Sequence, residues 1–597
     1  MAYQPEIIPE QQDPRDAEWL RATLPIFRDL EPALLEAILE QMEWFALPGG
    51  TTLFEAGEMP DALYCVLSGA LGAFVKGSDH RPALVGRIFA GETVGEMALM
   101  SGNPRSATVI ALRDTELARL PRAGFEKLML SHPRGLLNLS QLIMRRFETQ
   151  QRANTHRAIP KTFAIVPADA SVSATTFAAQ LATELERIGA TEWVWNRRGA
   201  THTTAWFHEI ERANEFVVYV CDAEPTTWSK LCLRQADAVL IVANAHREVR
   251  QPEVLQLNSE RTAPGRRSEV VLLHEQQIER GHAARWLAQD PHRAVHHVRN
   301  PADVGRLARV LTGRAVGVVL SGGGARGFAH IGVLKALREA KIAIDAIGGT
   351  SIGAVIAASH ACEWSIEEIS QRIHRSFVET NPLNDYTIPF IALASGRKVS
   401  RLLRREFEDR AIEDLAINYF CVSTNLSSGQ ISVHRQGSLW RWLRAAVAIP
   451  GVLPPVVVKG ELFVDGATIN NLPVDVMRAS GIGRVIGVDV GADRVFTTDS
   501  DDSDAPPFWK LFKWFRGRKH RINILQILWR AGMVNSAANT VARRELSHVL
   551  LQPPLEQIDM LNWKSFDRAV QAGYAYTMKR LEDGALLEIT QVQSNQR

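Results

Sequence analysis

Ser351 lies in Gly349-Thr-Ser-Ile-Gly353, a GxSxG pentapeptide between an apolar run (Ile342 to Ile347) and a small-residue helical pattern that starts at Ile352. A strand, a tight turn and a helix in that order lift a serine Oγ above a sheet end, where it can act as a nucleophile. Glycines on either side, Gly349 and Gly353, permit the strained turn. Taken alone, the pentapeptide is equally a turn that happens to hold a serine. Upstream, Ser321-Gly-Gly-Gly-Ala-Arg-Gly327 follows the apolar run Val316 to Leu320 and opens an amphipathic helix. Successive backbone N–H groups at a helix N-terminus suit negative charge. Gly322, Gly323, Gly324, Ala325, Arg326 and Gly327 could form an oxyanion hole, or Gly322-x-Gly324-x-x-Gly327 could cradle a dinucleotide. The second reading needs an acid at the end of the next strand. Asp345 has the spacing but precedes its apolar run, which favours the oxyanion reading.

A nucleophilic serine needs a base, and histidine is the usual one. His330, His360 and His434 are close in sequence but have no distinctive setting. Asp465 closes the run Phe463-Val464 and is followed by Gly466 and Ala467. A carboxylate there can reach the C-terminal edge of a sheet and meet a serine on a neighbouring strand end. Asp-Gly is also the signature of an ordinary β-turn.

A second constellation lies far upstream. Gly95-Glu96-Met-Ala-Leu99 is followed by Asn103-Pro-Arg105-Ser106-Ala-Thr108. A short helix N-terminus and one arginine can hold a cyclic phosphate, while a carboxylate takes a ribose 2′-OH.

These residues need scaffolds. A chain of 597 residues predicts three or four domains, and 46% hydrophobic with 22% charged residues is ordinary globular composition. The net charge of +2 gives no reason to expect a nucleic-acid partner. Five scattered cysteines, none in a CxxC, predict neither a disulfide framework nor a metal site. The polar N-terminus lacks an apolar leader core, which with the cysteine usage points to a cytoplasmic protein. No run of 18 apolar residues occurs, so any lipid contact is expected to be peripheral, at the inner membrane face.

Along the chain, residues 15–156 read as short helices, then many short strands with glycine turns, then helix: a β jelly-roll barrel with flanking helices. Residues 160–311 alternate apolar strands with helices, as in a buried parallel sheet. The loop after Phe163 to Val166 lacks the GK[ST] of a P-loop. Residues 314–491 form a further α/β unit, and residues 497–597 begin as an acidic linker and continue as helix. Between Phe508 and Arg530, aromatics alternate with Lys and Arg and no acid occurs. That is either a membrane-surface segment or a helix packed with its basic face in water. No helix-turn-helix pattern follows the barrel, which argues against a transcription factor.

The order GGGxRG, GTSIG, DGA on one α/β unit resembles the patatin-like phospholipase family. Leu311-Thr-Gly-Arg, Gly437-Ser-Leu-Trp440, Ile449-Pro-Gly451 and Asp465-Gly-Ala-Thr-Ile-Asn-Asn-Leu-Pro473 resemble its neuropathy target esterase branch. The stretch around Glu96 and Arg105 resembles cyclic-nucleotide-binding domains. The resemblance implies a multidomain α/β chain that ends in a patatin-like hydrolase domain. It implies Ser351 as nucleophile, Asp465 as general base without histidine, and the glycine loop as oxyanion hole. Arg326 would orient that loop or meet a phosphate head group. Gly466 and Ala467 complete the motif, with Ala467 where many members have glycine. It further implies Gly95, Glu96, Arg105 and Ser106 as contacts of cyclic AMP or cyclic GMP, acting as effector. The expected function is a serine esterase of (lyso)phospholipids that needs no catalytic cofactor. Two other classes stay open: a catalytically silent, nucleotide-sensing membrane scaffold, and an NAD-dependent protein.

Overall fold

The structure, a computed structural model, describes residues 20–21, 24, 27–28, 30–76, 82–131, 144, 159–199, 204–257, 267–388, 390–491, 536, 540–587 and 589. They divide into two compact units, one from residues 1–273 and 292–305, the other from 274–291 and 306–597.

The first unit opens with β1 (Glu43–Leu47), β2 (Thr52–Phe54), β3 (Ala62–Ser68), β4 (Ala70–Lys76), β5 (Pro82–Phe89), β6 (Thr93–Val94), β7 (Thr108–Ala111) and β8 (Thr115–Pro121), with helix α1 (Glu96–Ser101) between β6 and β7. They pair antiparallel as β1-β8-β3-β6 and β2-β7-β4-β5, the two facing sheets of a jelly roll. Leu47, Phe54, Val66, Leu71, Ile88, Val109 and Leu117 fill the space between them. Beyond it stand β9 (Thr162–Pro167), β10 (Thr191–Trp195), β11 (Phe216–Val220), β12 (Ala238–Asn244), β13 (Arg267–Leu273) and β14 (Ala294–Val298), ordered β10-β11-β9-β12-β13-β14 and parallel throughout. Runs such as Phe216-Val-Val-Tyr-Val220 are buried end to end, because helices cover both faces of a parallel sheet. The jelly roll and this sheet dock through charge. Arg113, just after β7, pairs with buried Glu211, which also accepts from Tyr219 Oη at 2.8 Å. Arg87 pairs with Asp237 at 3.3 Å.

The second unit carries β15 (Val316–Leu320), helix α2 (Ala329–Glu339), β16 (Ala346–Gly349), helix α3 (Ile352–Ala361), helix α4 (Arg397–Phe407), β17 (Asn418–Asn425), β18 (Gln430–His434), helix α5 (Leu439–Ala446), β19 (Val456–Val458), β20 (Glu461–Asp465), β21 (Arg484–Val488), β22 (Val549–Leu551) and helix α6 (Phe566–Glu582). Its sheet runs β19-β20-β17-β16-β15-β21-β22, with β18 also on β17. The centre is parallel, while β20 and β18 run antiparallel to β17. Multidomain α/β architecture with an N-terminal barrel is therefore what the chain adopts.

The reading of residues 497–597 as a separate linker and helical tail is corrected for the described part. β22 adds to β21 in parallel, and α6 lies against α2 so closely that a Cβ on Gly332 would stand 2.0 Å from the Val570 carbonyl oxygen. The three-residue β22 has too little periodicity of its own to announce a strand, and its partner lies 63 residues earlier, Ile486 facing Val549. The aromatic-basic segment 508–530 lies outside the described residues, as do residues 132–143 and 145–150, where the sequence suggested a helix after the barrel.

Candidate active site

Ser351 leaves β16 at the turn into α3 with φ 54° and ψ −128°, a conformation that non-glycine residues adopt only under constraint. The constraint is visible. A Cβ on Gly349 or on Gly353 would each stand 2.4 Å from the Leu320 carbonyl oxygen, so β15 presses on the turn from below. Only glycine fits either flank, and Ser351 is held with its Oγ up.

Asp465 ends β20, opposite Ser423 of β17. Its N–H is held by the Ala448 carbonyl at 2.9 Å, just after α5. Ser351 Oγ donates to Asp465 Oδ2 at 2.7 Å, and the Ala467 N–H donates to Oδ1 at 2.9 Å. Both side chains are buried. Burial pushes the Asp465 carboxyl up to about 7, against the smaller opposing pull of those two hydrogen bonds. No metal-binding cluster of His, Cys, Asp or Glu occurs among the described residues.

The segment after Asp465 ties the site together. Asn470 accepts from Thr350 Oγ1 through its carbonyl at 2.9 Å. Asn471 grips Gly322 twice: its Oδ1 takes the Gly322 N–H at 3.1 Å, and its Nδ2 donates to the Gly322 carbonyl at 3.2 Å. Gly322 stands against the serine, since a Cβ there would lie 3.0 Å from Ser351 Cβ. The glycine loop is thus beside Ser351, but its amides are not equivalent. Gly322 N–H is engaged by Asn471, and Ala325 N–H donates to the Met560 carbonyl at 2.8 Å. Gly323 and Gly324 have no acceptor among the described residues. Gly324 has φ +57°, and a Cβ on it would meet the Met560 carbonyl oxygen at 2.2 Å. Arg326 is buried, and its Nε donates to the Ile558 carbonyl at 2.7 Å. Of its two expected roles, that contact is the loop-orienting one. Gly327 packs on Ile352, the first residue of α3. Asn471 and Met560 were not singled out from sequence. The Asn-Asn pair just after DGATI was the one available signal for the first, and nothing marked the second.

The other candidates separate cleanly. Asp345 lies at the N-terminal end of β16 and forms a bidentate pair with Arg309 plus a bond from Val316 N–H at 3.0 Å. Ligands of open α/β sheets bind beyond the opposite, carboxyl ends of the strands, so no ribose reaches Asp345. His330 contacts the Ser321 carbonyl at 2.9 Å, and His434 contacts Ser423 Oγ at 2.6 Å. No histidine is paired with Ser351 among the described residues. Burial lowers His330 and His360 to about 4 and His434 to about 3.

In the jelly roll, Gly95 caps α1 with φ +96°, and a Cβ there would stand 2.4 Å from Arg105 Nη1. Arg105 is buried, donates to the carbonyls of Gly95 at 2.9 Å and Ala62 at 2.8 Å, pairs with Asp61 at 3.1 Å and stacks on Phe54 at 4.3 Å. Glu96 is buried in the first turn of α1, and Ser106 is exposed beside Arg105. The four residues expected to hold a nucleotide thus occupy α1 and the approach to β7.

Comparison with known families matches residues 318–478 to the patatin-like phospholipases, 44–132 to the cyclic nucleotide-binding domain, and 160–309 to the neuropathy target esterase family P-loop like domain. The chain thus carries a patatin-like phospholipase domain behind a cyclic nucleotide-binding domain and a domain of the neuropathy target esterase family. Among its patatin-like relatives, patatin-like phospholipase domain-containing protein 6 of Pongo abelii is 32% identical over 90% of this chain and 44% of that protein. A lysophospholipase of Aspergillus fumigatus is 29% identical over 92% of this chain and 42% of that protein. The chain therefore spans less than half the length of these relatives. A solved cyclic nucleotide-binding domain from Methylobacillus flagellatus is 25% identical, covers 22% of this chain and 81% of its own, and has a TM-score of 0.21.

Proposed function

We propose that this patatin-like chain hydrolyses carboxyl esters of (lyso)phospholipids through a Ser351–Asp465 dyad. The observation that carries it is the 2.7 Å hydrogen bond from a strained serine to a buried carboxylate whose pKa is pushed up to about 7. A solvated carboxylate is a poor base toward a serine hydroxyl, and burial improves the match. Asp465 takes the Oγ proton as Oγ attacks the ester carbonyl. The oxyanion is met by the amides of Gly323 and Gly324 and by the N-terminus of α3. Asp465 returns the proton to the departing alcohol, leaving an acyl-serine. Water then attacks the acyl-serine, with Asp465 again as base, and the fatty acid leaves.

The test compares wild type, Ser351→Ala and Asp465→Asn on lysophosphatidylcholine and on a short aryl ester. Both substitutions are expected to lower kcat by roughly 10³-fold or more while the fold is kept. Activity of wild-type order in folded Ser351→Ala contradicts the proposal. Cyclic nucleotide as effector is the second part of the reading, supported by the matched domain and by Glu96 and Arg105 flanking one α1 cradle. Calorimetric titration with cyclic AMP and cyclic GMP tests it, and no heat with either counts against it.

A further inference from the structure

Between the segment ending at Thr380 and helix α4, the catalytic unit raises a short loop whose apolar side chains are turned outward. Tyr386 is 73%, Ile388 71%, Phe390 90% and Ile391 73% exposed. Isolated exposed hydrophobics are ordinary, but four within six residues, including a nearly bare phenylalanine, mark a contact surface. The loop is built, not frayed. Tyr386 bridges Ala394 antiparallel, Thr387 N–H donates to the Leu393 carbonyl at 3.1 Å, and Ser395 N–H donates to the Asp385 carbonyl at 2.8 Å. The Asp385 carboxylate accepts from Ser395 Oγ at 2.7 Å and from the Lys398 N–H at 3.0 Å, locking the stem. The far limb then joins the site. Leu393 and Ala394 N–H groups donate to the carbonyls of Gly451 and Val452 at 3.0 and 2.9 Å. Those residues follow Ala448, whose carbonyl holds the Asp465 N–H.

Charge identifies the occupant. Helix α4 begins six residues after Ile391 and reads Arg-Lys-Val-Ser-Arg-Leu-Leu-Arg-Arg-Glu-Phe, with Arg397, Arg401 and Arg404 on one exposed stripe at helical spacing. A patch of aromatic and branched aliphatic side chains beside a row of arginines matches a bilayer interface, where rings enter the headgroup layer and guanidinium groups meet anionic lipid. We propose that Tyr386, Ile388, Phe390 and Ile391, with the arginine stripe of α4, seat the catalytic unit on an anionic lipid surface. This rests on the esterase reading, because a lipid-ester substrate is what would bring a bilayer to this face. The device differs from the aromatic-basic stretch 508–530 that the sequence suggested, and it stands next to the segment that positions Asp465.

The experiment uses the full chain and two vesicle types, phosphatidylcholine alone and phosphatidylcholine with one quarter phosphatidylserine. Sedimentation should show partition onto the mixed vesicles that weakens in high salt. Phe390→Glu with Ile391→Glu should reduce that partition roughly tenfold or more. It should also raise the apparent KM for vesicle-borne lysophospholipid, while kcat/KM for the soluble aryl ester stays at the wild-type value. Arg397→Glu with Arg401→Glu should abolish the preference for anionic vesicles. Partition unchanged in the Phe390/Ile391 variant overturns the proposal and leaves the lipid contact elsewhere in the chain. A self-associated form, present without vesicles and lost in that variant, overturns it in favour of a second copy on the loop. Phe390→Trp, which adds no charge, gives an independent reading: its emission should shift to the blue on mixed vesicles, and no shift overturns the proposal even if the charged variant fails to fold. Failure of the esterase reading is distinguishable, because wild type then turns over neither substrate whatever the partition shows.

Discussion

At the scale of single residues, the site is defined by a carboxylate left short of hydrogen bonds. Asp465 receives one from Ser351 and one from the Ala467 N–H, and it is buried with no charged side chain acting on its pKa. Its folded pKa, about 7, stands well above the ordinary 3.8, so folding favours the protonated form between those values. Stability is therefore present at low pH and is lost as pH rises through 7. A rise of that size corresponds to an upper bound of about 4 kcal/mol. Asp465→Asn should thus be more stable than wild type at pH 8 and nearly equal at pH 4, in paired thermal melts. A second prediction concerns the neighbour. Ser423 faces Asp465 across the β17–β20 ladder, yet its hydroxyl meets His434 Nε2, and His434 is stacked on Trp442 at 3.7 Å. Burial lowers His434 to about 3, so it stays neutral, and its Nε2 occupies the Ser423 hydroxyl that would otherwise be free toward Asp465. His434→Phe should release that hydroxyl to the carboxylate and move the acid limb of kcat/KM down by about one pH unit. Adding Ser423→Ala should restore the limb; a limb that never moves contradicts the account. Ser351 was singled out by its GxSxG, and Asp465 only through the family resemblance, since Asp-Gly alone reads as a turn. The Ser423–His434 pair was not, since it exists only through strand register, and neither residue carries a motif.

At the scale of elements, the parallel strands were readable from their unbroken apolar runs, and the tight turn at Ser351 from its glycines. What sequence could not supply was the closing layer. Helix α6 crosses α2 at Gly332 and Gly573, where a Cβ on Gly573 would stand 2.1 Å from the Ala329 carbonyl oxygen. The loop that follows β22 meanwhile supplies the carbonyls that hold Ala325 and Arg326. A close crossing needs small residues in both partners, which no single helical pattern reveals. Gly573→Val should push the helices apart and destabilise the unit by about 1–3 kcal/mol, read from the urea midpoint. Because the same layer positions the glycine loop, kcat should fall with it. Full activity at undiminished stability would show that the crossing is not what holds the loop.

At the scale of the whole chain, texture announced many short strands with glycine turns first and alternating strands and helices after them. The union of jelly roll and parallel sheet was not legible, because it rests on a few polar side chains. Arg113 and Glu211 form a buried pair whose desolvation is offset only while both are present. Arg113→Ala should leave Glu211 without its cation and cost about 3–5 kcal/mol at neutral pH. The loss should be smaller in acid, where Glu211, already raised by burial, takes a proton. Arg113→Met with Glu211→Leu should recover most of it. Arg105, a candidate phosphate contact, stands just before β7 and Arg113 just after it. One short strand thus joins the Arg105 cradle to the docking charge.

The most direct test of the dyad is the pH dependence of organophosphonate labelling, followed by intact mass in wild type and Asp465→Asn. A single adduct on Ser351 is predicted, forming faster as pH rises through about 7 in wild type and slowly, without that limb, in Asp465→Asn. No adduct on Ser351, or an Asp465→Asn protein labelled at the wild-type rate with the wild-type limb, would contradict the assignment of Asp465 as the base that activates Ser351.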